Sequence, residues 1–373
     1  MRISGHTSIV MAIYYVRINS IDLRERFDEG EKKAFKNKAY AAQRMIEQGR
    51  IDDLKYELIA TDKVLNSLSG DVPIGNYLFR DYGFCPFAGT RCNDGGPIVG
   101  KTQVRLPAPF GYLGCQNCLR CRHFVTGPAF MGGLLSTFNE ISLQARVQFE
   151  HYSELEEKAA AIRKKLDAID EAEYVAQVAG NNFDDAERYE YELTLRKVNS
   201  ESESAAKKFD VFMCDVQACT TLMNQCVALI NCQVENSHET SPTQLIVRSG
   251  HELHVAFESV SYFHQLCEVC FNAEIYESAS ADLALASRSQ MIDKMISSND
   301  IMPRMYALDK RQQLIVGNQF TQLLLNRLKE WEKVDALMDC RISLADLTSE
   351  EKITRLDFEQ IFNIRLNALE EEK

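Results

Sequence analysis

Twelve cysteines punctuate the 373-residue chain, and five of them fall in two tight groups. Cys85 and Cys92 bracket the six residues Pro86-Phe87-Ala88-Gly89-Thr90-Arg91, while Cys115, Cys118 and Cys121 follow one another at intervals of three, with His123 just beyond. Thiolate sulfur, alone or with imidazole nitrogen, is the donor set of tetrahedral structural zinc sites. A Cys-x-x-Cys turn brings two sulfurs onto one ion, and loops rich in Gly and Pro let the backbone wrap around it. The spacing predicts a metal centre held by Cys85, Cys92, Cys118 and Cys121, with Cys115 or His123 as alternates. Zinc is favoured. An iron–sulfur cluster is the competing cofactor, because successive Cys-x-x-Cys steps also occur in ferredoxin-like ligation.

The setting of these cysteines supports metal over disulfide. The first twenty residues lack the basic start, apolar middle and small-residue cleavage site of a secretory signal. No run of about 18 apolar residues is long enough to span a bilayer. A cytoplasmic location is therefore expected, where thiols stay reduced and clustered cysteines point to metal. The net charge of −12 argues against a chain that coats nucleic acid along its whole length. Its distribution is uneven: residues 80–123 carry a net +4, whereas residues 124–373 carry −17. Phosphate contact, if any, is expected in the cysteine-rich stretch, through Arg91, Arg105, Arg120 and Arg122. The remaining cysteines behave differently. Cys219 and Cys226, like His264, Cys267 and Cys270, recur at helical intervals and read as small buried thiols at helix interfaces.

The elements that must position these residues are mostly helical. Residues 1–20 read as one short helix and 21–69 as a charged helical linker. Residues 70–128 hold most of the prolines and many glycines, and form the irregular, cysteine-rich module of loops and short strands. Helix resumes after Thr126-Gly127-Pro128. From there Leu155, Ala159, Ile162, Leu166 and Ile169 alternate in steps of four and three, the spacing of a coiled coil. Gly180-Asn181-Asn182 breaks that helix, and the chain from Phe183 to about Lys208 can run back as its partner. Residues 129–208 are read either as a hairpin arm or as two helices of a larger bundle. Residues 209–373 complete a helical bundle, with helices expected at about 244–271, 272–298, 309–339 and 349–371, the last capped by Thr348 with Glu351.

Two segments carry a family resemblance. Gly5-His6-Thr7-Ser8-Ile9-Val10-Met11-Ala12-Ile13-Tyr14-Tyr15 is similar to the end of the tyrosine-recombinase catalytic domain, where a Gly-His pair precedes a short helix and the nucleophilic tyrosine lies nine residues past the histidine. Arg122-His123-Phe124-Val125-Thr126-Gly127-Pro128-Ala129-Phe130, together with Gly83-Phe84-Cys85-Pro86 and Gly89-Thr90-Arg91-Cys92, resembles the gamma-mobile-trio integrases of mobile elements. The resemblance covers residues 1–140 by motif, and the remainder only by helical character.

That resemblance implies Tyr15 (or Tyr14) as the nucleophile that bonds covalently to a DNA phosphate. His6 would donate a hydrogen bond to the phosphate oxygens as charge builds. The family also needs two arginines, a lysine and a His-x-x-Arg box upstream of this motif, and Arg2 matches none of these positions. The chain is thus expected to be a truncated integrase, unable to cleave DNA alone, that meets DNA through the complete protein and protein partners or its own copies through its helices. A non-enzymatic helical scaffold with a structural zinc site is the alternative.

Overall fold

The computed structural model describes residues 29–68, 77–99, 104–107, 117–236 and 260–362. The segment 1–20, with His6 and Tyr15, lies outside them, as does Cys115. The structure is mainly helical, as composition and periodicity predict.

Two helices open the described chain, α1 (Glu29–Glu47) and α2 (Asp62–Leu68), joined by a 3₁₀ segment Ile51–Glu57. Rather than forming an isolated linker, they bury Ala42, Ile46, Leu54, Leu58 and Val64 against Phe84, Val125 and Phe130 of the cysteine-rich module. That module holds two small antiparallel hairpins. Strands β1 (Leu78–Arg80) and β2 (Gly83–Cys85) pair Leu78 with Cys85, and β3 (Ile98–Val99) pairs with β4 (Val104–Arg105). Isolated ladders this short have too little apolar surface to stand alone. They are held from outside: Phe84 and Val125 exchange backbone hydrogen bonds of 2.8 and 2.9 Å, and Ile59 and Thr126 exchange another pair of 2.7 and 3.0 Å.

The module ends at Pro128–Phe130, one 3₁₀ turn that leads directly into α3 (Met131–Val178). Helix α4 (Ala186–Asn236) runs back along it. At about 1.5 Å per residue each helix is roughly 70 Å or more long. The first part of the expected seam is present: Leu155 and Ala159 of α3 bury against Val198 and Ala205 of α4, with Ile162 and Leu195 alongside, whereas Leu166 and Ile169 are only half-buried and lie outside that cluster. The break falls where Gly180 was expected to end the helix. Gly180 takes φ +69°, its N–H donates to the Gln177 carbonyl, and the Asn181 N–H donates to the Ala176 carbonyl. This is the paired hydrogen-bond pattern of a Schellman stop, which favours glycine at the left-handed position. The hairpin-arm reading therefore holds for the distal part. The base is different, because α4 continues unbroken through 208 and packs Val216, Cys219, Met223 and Cys226 against Leu134, Phe138 and Ile141 of α3.

The remaining helices, α5 (Tyr262–Ile275), α6 (Asp282–Ser298), α7 (Lys310–Leu328), α8 (Trp331–Met338) and α9 (355–362), form a bundle around Phe263, Ile292, Phe320, Leu324, Leu337 and Phe358. Several boundaries depart from those expected. The first bundle helix starts later, where Ser261 caps it by accepting the His264 N–H. The predicted helix 309–339 is two, split where Lys329 turns left-handed at φ +63°. Thr348 and Glu351 do pair, but they close only a turn; a second pair, Thr354 with Asp357, starts α9 six residues later. No described helix is long and apolar enough to cross a membrane. Cys219, Cys226, Cys267 and Cys270 are all fully buried in these interfaces, as their helical spacing predicts.

The first turn of α3 is pressed onto the module. A Cβ on Gly133 would lie 2.0 Å from the Asp81 carbonyl oxygen, a backbone atom that cannot swing aside. Gly133→Ala is expected to lower stability by about 1–3 kcal/mol through overpacking, read as a lower urea midpoint with an unchanged slope.

Candidate metal centre

Cys85 ends β2 and Cys92 opens the 3₁₀ turn Cys92–Asp94. Cys118 opens a second such turn, Cys118–Arg120, and Cys121 follows it in extended backbone with its N–H on the Cys118 carbonyl at 3.1 Å. The Phe84–Val125 backbone pair draws the two cysteine loops together, and the Arg122 N–H donates to the Gly95 carbonyl at 2.9 Å to close them further. The result is one small cavity of about 10 Å³, lined by Cys85, Cys92, Cys118, Cys121, Asn117 and His123 among others. A cavity of that size admits about one water molecule or ion. All four cysteines nominated by spacing meet there.

The electrostatics of this cavity are those of crowded thiols. Burial pushes the Cys118 thiol up to about 12, and the nearby Cys85, Cys121 and Cys92 add to the rise while Arg80 opposes it. The Cys121 thiol is also raised by burial, although backbone N–H groups of His123 and Phe124 hydrogen-bond it and favour its thiolate. Amides aimed at a sulfur stabilise negative charge on it, and a cation among the sulfurs would reverse the mutual penalty. Two buried polar atoms beside the cavity have no hydrogen-bond partner: Asn117 Oδ1 and His123 Nδ1. As placed, no three or more described His, Cys, Asp or Glu side chains are arranged to hold a metal ion. The donor chemistry and these orphaned atoms nonetheless fit a cation bound by soft ligands.

Asp94 organises the rim, and nothing in sequence spacing singled it out. Its carboxylate accepts from His123 Nε2 at 2.7 Å, from Arg122 Nη2 at 2.6 Å and from Arg91, while its backbone carbonyl accepts from Arg122 Nε at 2.8 Å. Partial desolvation pushes the Asp94 carboxyl up, but the hydrogen bonds from Arg91, His123 and Arg122 outweigh it and hold the group well below the usual carboxylate range. With Nε2–H donated to Asp94, the lone pair of His123 sits on Nδ1, the arrangement by which carboxylates orient metal-binding histidines. Phe87 packs edge-on against the His123 ring at 5.0 Å and stacks beneath Arg91. A second missed residue is Asp215 on α4, fully buried, which accepts from Asn117 Nδ2 at 2.7 Å and from Arg120 Nη1 at 3.4 Å. It fastens the second cysteine turn to the base of the arm.

The four arginines expected to meet phosphate thus all have acceptors within the chain. Arg91 and Arg122 pair with Asp94, Arg120 with Asp215, and Arg105 Nη1 donates to the Gly96 carbonyl at 3.3 Å. The recombinase-like motif with His6 and Tyr15, and the alternate ligand Cys115, lie outside the described residues. Compared with protein families, curated proteins and solved structures, the chain matches none.

Removing the Asp94 carboxylate strands three donors at once. Asp94→Ala is expected to cost about 1–2 kcal/mol, the lower part of the range for a lost charged acceptor because the group is partly exposed. Chemical denaturation checks it. Asp94→Asn, which keeps one acceptor oxygen, should recover part of the loss.

Proposed function

We propose that this chain is the C-terminal portion of a site-specific DNA integrase of a mobile genetic element, not catalytic on its own, in which a zinc–thiolate centre staples a helical scaffold. The observation that carries this reading is the convergence of Cys85, Cys92, Cys118 and Cys121 on one cavity. Those residues lie within or beside the blocks that resemble the mobile-element integrases. Zinc, when bound, would supply the cross-link that so small a hydrophobic module lacks. Cys85, Cys92, Cys118 and Cys121 would hold it, with His123 and Cys115 as alternates, and Asp94 would fix the His123 ring. Reduced thiols of this kind belong to a cytoplasmic protein.

In this account the Tyr15 oxygen would bond to the scissile phosphorus as the sugar oxygen of one DNA strand leaves and takes up a proton, and His6 would steady the charge, once the family's arginines are supplied by the rest of the integrase. DNA is engaged through that complete protein. The internal pairing of Arg91, Arg105, Arg120 and Arg122 favours a structural role for the cysteine module itself. The same observation favours the second reading, a non-enzymatic helical scaffold with a structural zinc site.

Purified protein is expected to be colourless and to carry about one zinc per chain, lost on Cys118→Ser with Cys121→Ser. Stoichiometric iron with visible absorption would replace zinc by a cluster. In the intact element, Tyr15→Phe combined with Tyr14→Phe should abolish integration. Integration at the parental frequency would leave the scaffold reading in its place.

A further inference from the structure

The distal end of the α3–α4 arm is built unlike its stem. Along the stem the apolar side chains point inward, and the seam is Leu155, Ala159, Ile162, Leu195 and Val198. Near the tip the inward contact becomes ionic: Arg188 of α4 pairs with Asp170 at 2.5 Å and with Glu173 of α3. Five large apolar residues there face out, while Ile169, Phe183 and Tyr191 stay half-buried. Tyr174, Val175 and Val178 are 67, 60 and 72% exposed on α3, and Tyr189 and Leu193 are 67 and 46% exposed on α4. Tyr174 with Val178, and Tyr189 with Leu193, are i, i+4 pairs, so each helix presents an outward apolar strip at the same end of the arm.

The charge around these strips selects what can cover them. Residues 167–193 contain nine carboxylates and a single cation, Arg188, which is already paired within the hairpin. Nucleic acid is repelled by such a surface. Two tips brought together would oppose like charge on like charge. The arm's own basic collar (Lys158, Arg163, Lys164, Lys165, Arg196 and Lys197) could attract the tip of a second copy, but it exposes no large apolar side chain to meet the strips. We propose that the arm tip, residues 167–193, is a docking surface for a basic, apolar-faced helical segment of another protein. Such a segment lays its apolar side chains on Tyr174, Val175, Val178, Tyr189 and Leu193 while its Lys and Arg residues meet the surrounding carboxylates. This inference stands on the arm alone and does not depend on the integrase reading.

A fluorescein-labelled synthetic helix with Leu at i, i+3, i+4 and i+7 and Lys elsewhere serves as the probe, titrated with the full chain and read by anisotropy. The intact chain should bind it, and the combined variant Tyr174→Ser, Val175→Ser, Val178→Ser should bind about tenfold more weakly with unchanged helicity. A peptide of the same composition with its apolar face scrambled should also bind about tenfold more weakly. Equal binding of the variant, equal binding of the scrambled peptide, or no binding at all would overturn the proposal. So would a concentration-dependent dimer of the intact chain that the combined variant cannot form, which would assign the strips to a second copy.

Discussion

The exchange of two backbone hydrogen bonds between Phe84 and Val125 is the contact on which the rest of the module depends. The two cysteine groups stand far apart in sequence, and closing so long a loop costs conformational entropy that short strands cannot offset. The backbone pair solves this by making 124–126 a third participant beside the β1–β2 hairpin, and the Ile59–Thr126 pair then adds the N-terminal helices as a fourth. Around that junction Phe84 packs with Tyr77, Phe79 and Phe130 at ring separations of 5.7–6.2 Å. The apolar cluster keeps water from competing for the junction's hydrogen bonds. Only with those in place do four thiols share one cavity.

The same junction explains why charge counting alone misdescribes this region. A net +4 over residues 80–123 reads as a surface ready for phosphate. In three dimensions Asp94 lies beneath Arg91 and Arg122, and a carboxylate from far along the chain, Asp215, reaches Arg120. Guanidinium forks suit carboxylates and phosphates equally, so their sequence cannot say which acceptor they meet. Here the acceptors are internal, and they orient a histidine and anchor a turn.

What was legible in the sequence follows from how local the physics is. The seam from Leu155 to Ile162 and the stop at Gly180 depend on neighbours within a turn or two, and both stand where spacing and glycine chemistry put them. The convergence of four cysteines was legible because Cys-x-x-Cys turns and loop composition are also local signals. Asp94 and Asp215 were not, since apart from Arg91 their partners lie 28 or more residues away. Bundle boundaries failed for a related reason. Thr348–Glu351 and Thr354–Asp357 are equally good caps by sequence, and burial of Ile353 between them, at 4% exposure, decides that the helix begins at the second. Lys329 has no glycine to announce a left-handed stop, yet packing of Leu328 and Val334 into one core forces it.

The continuity of α4 gives the architecture its mechanical logic. Asp215, which grips the second cysteine turn, and Tyr189, at the arm tip, lie on one unbroken helix about 40 Å apart at 1.5 Å per residue. A break near 208 would let the arm swing independently of the cysteine module. Its absence means that the arm's direction is fixed by how α4 seats at the base, where Val216, Cys219, Met223 and Cys226 pack against the first turns of α3. Those contacts meet the module through Gly133 and Asp81, and the bundle through Leu143 with Leu266. A small rotation at the base is therefore magnified along the arm. The side chains that set the geometry around the thiols also set where the tip's apolar strips point.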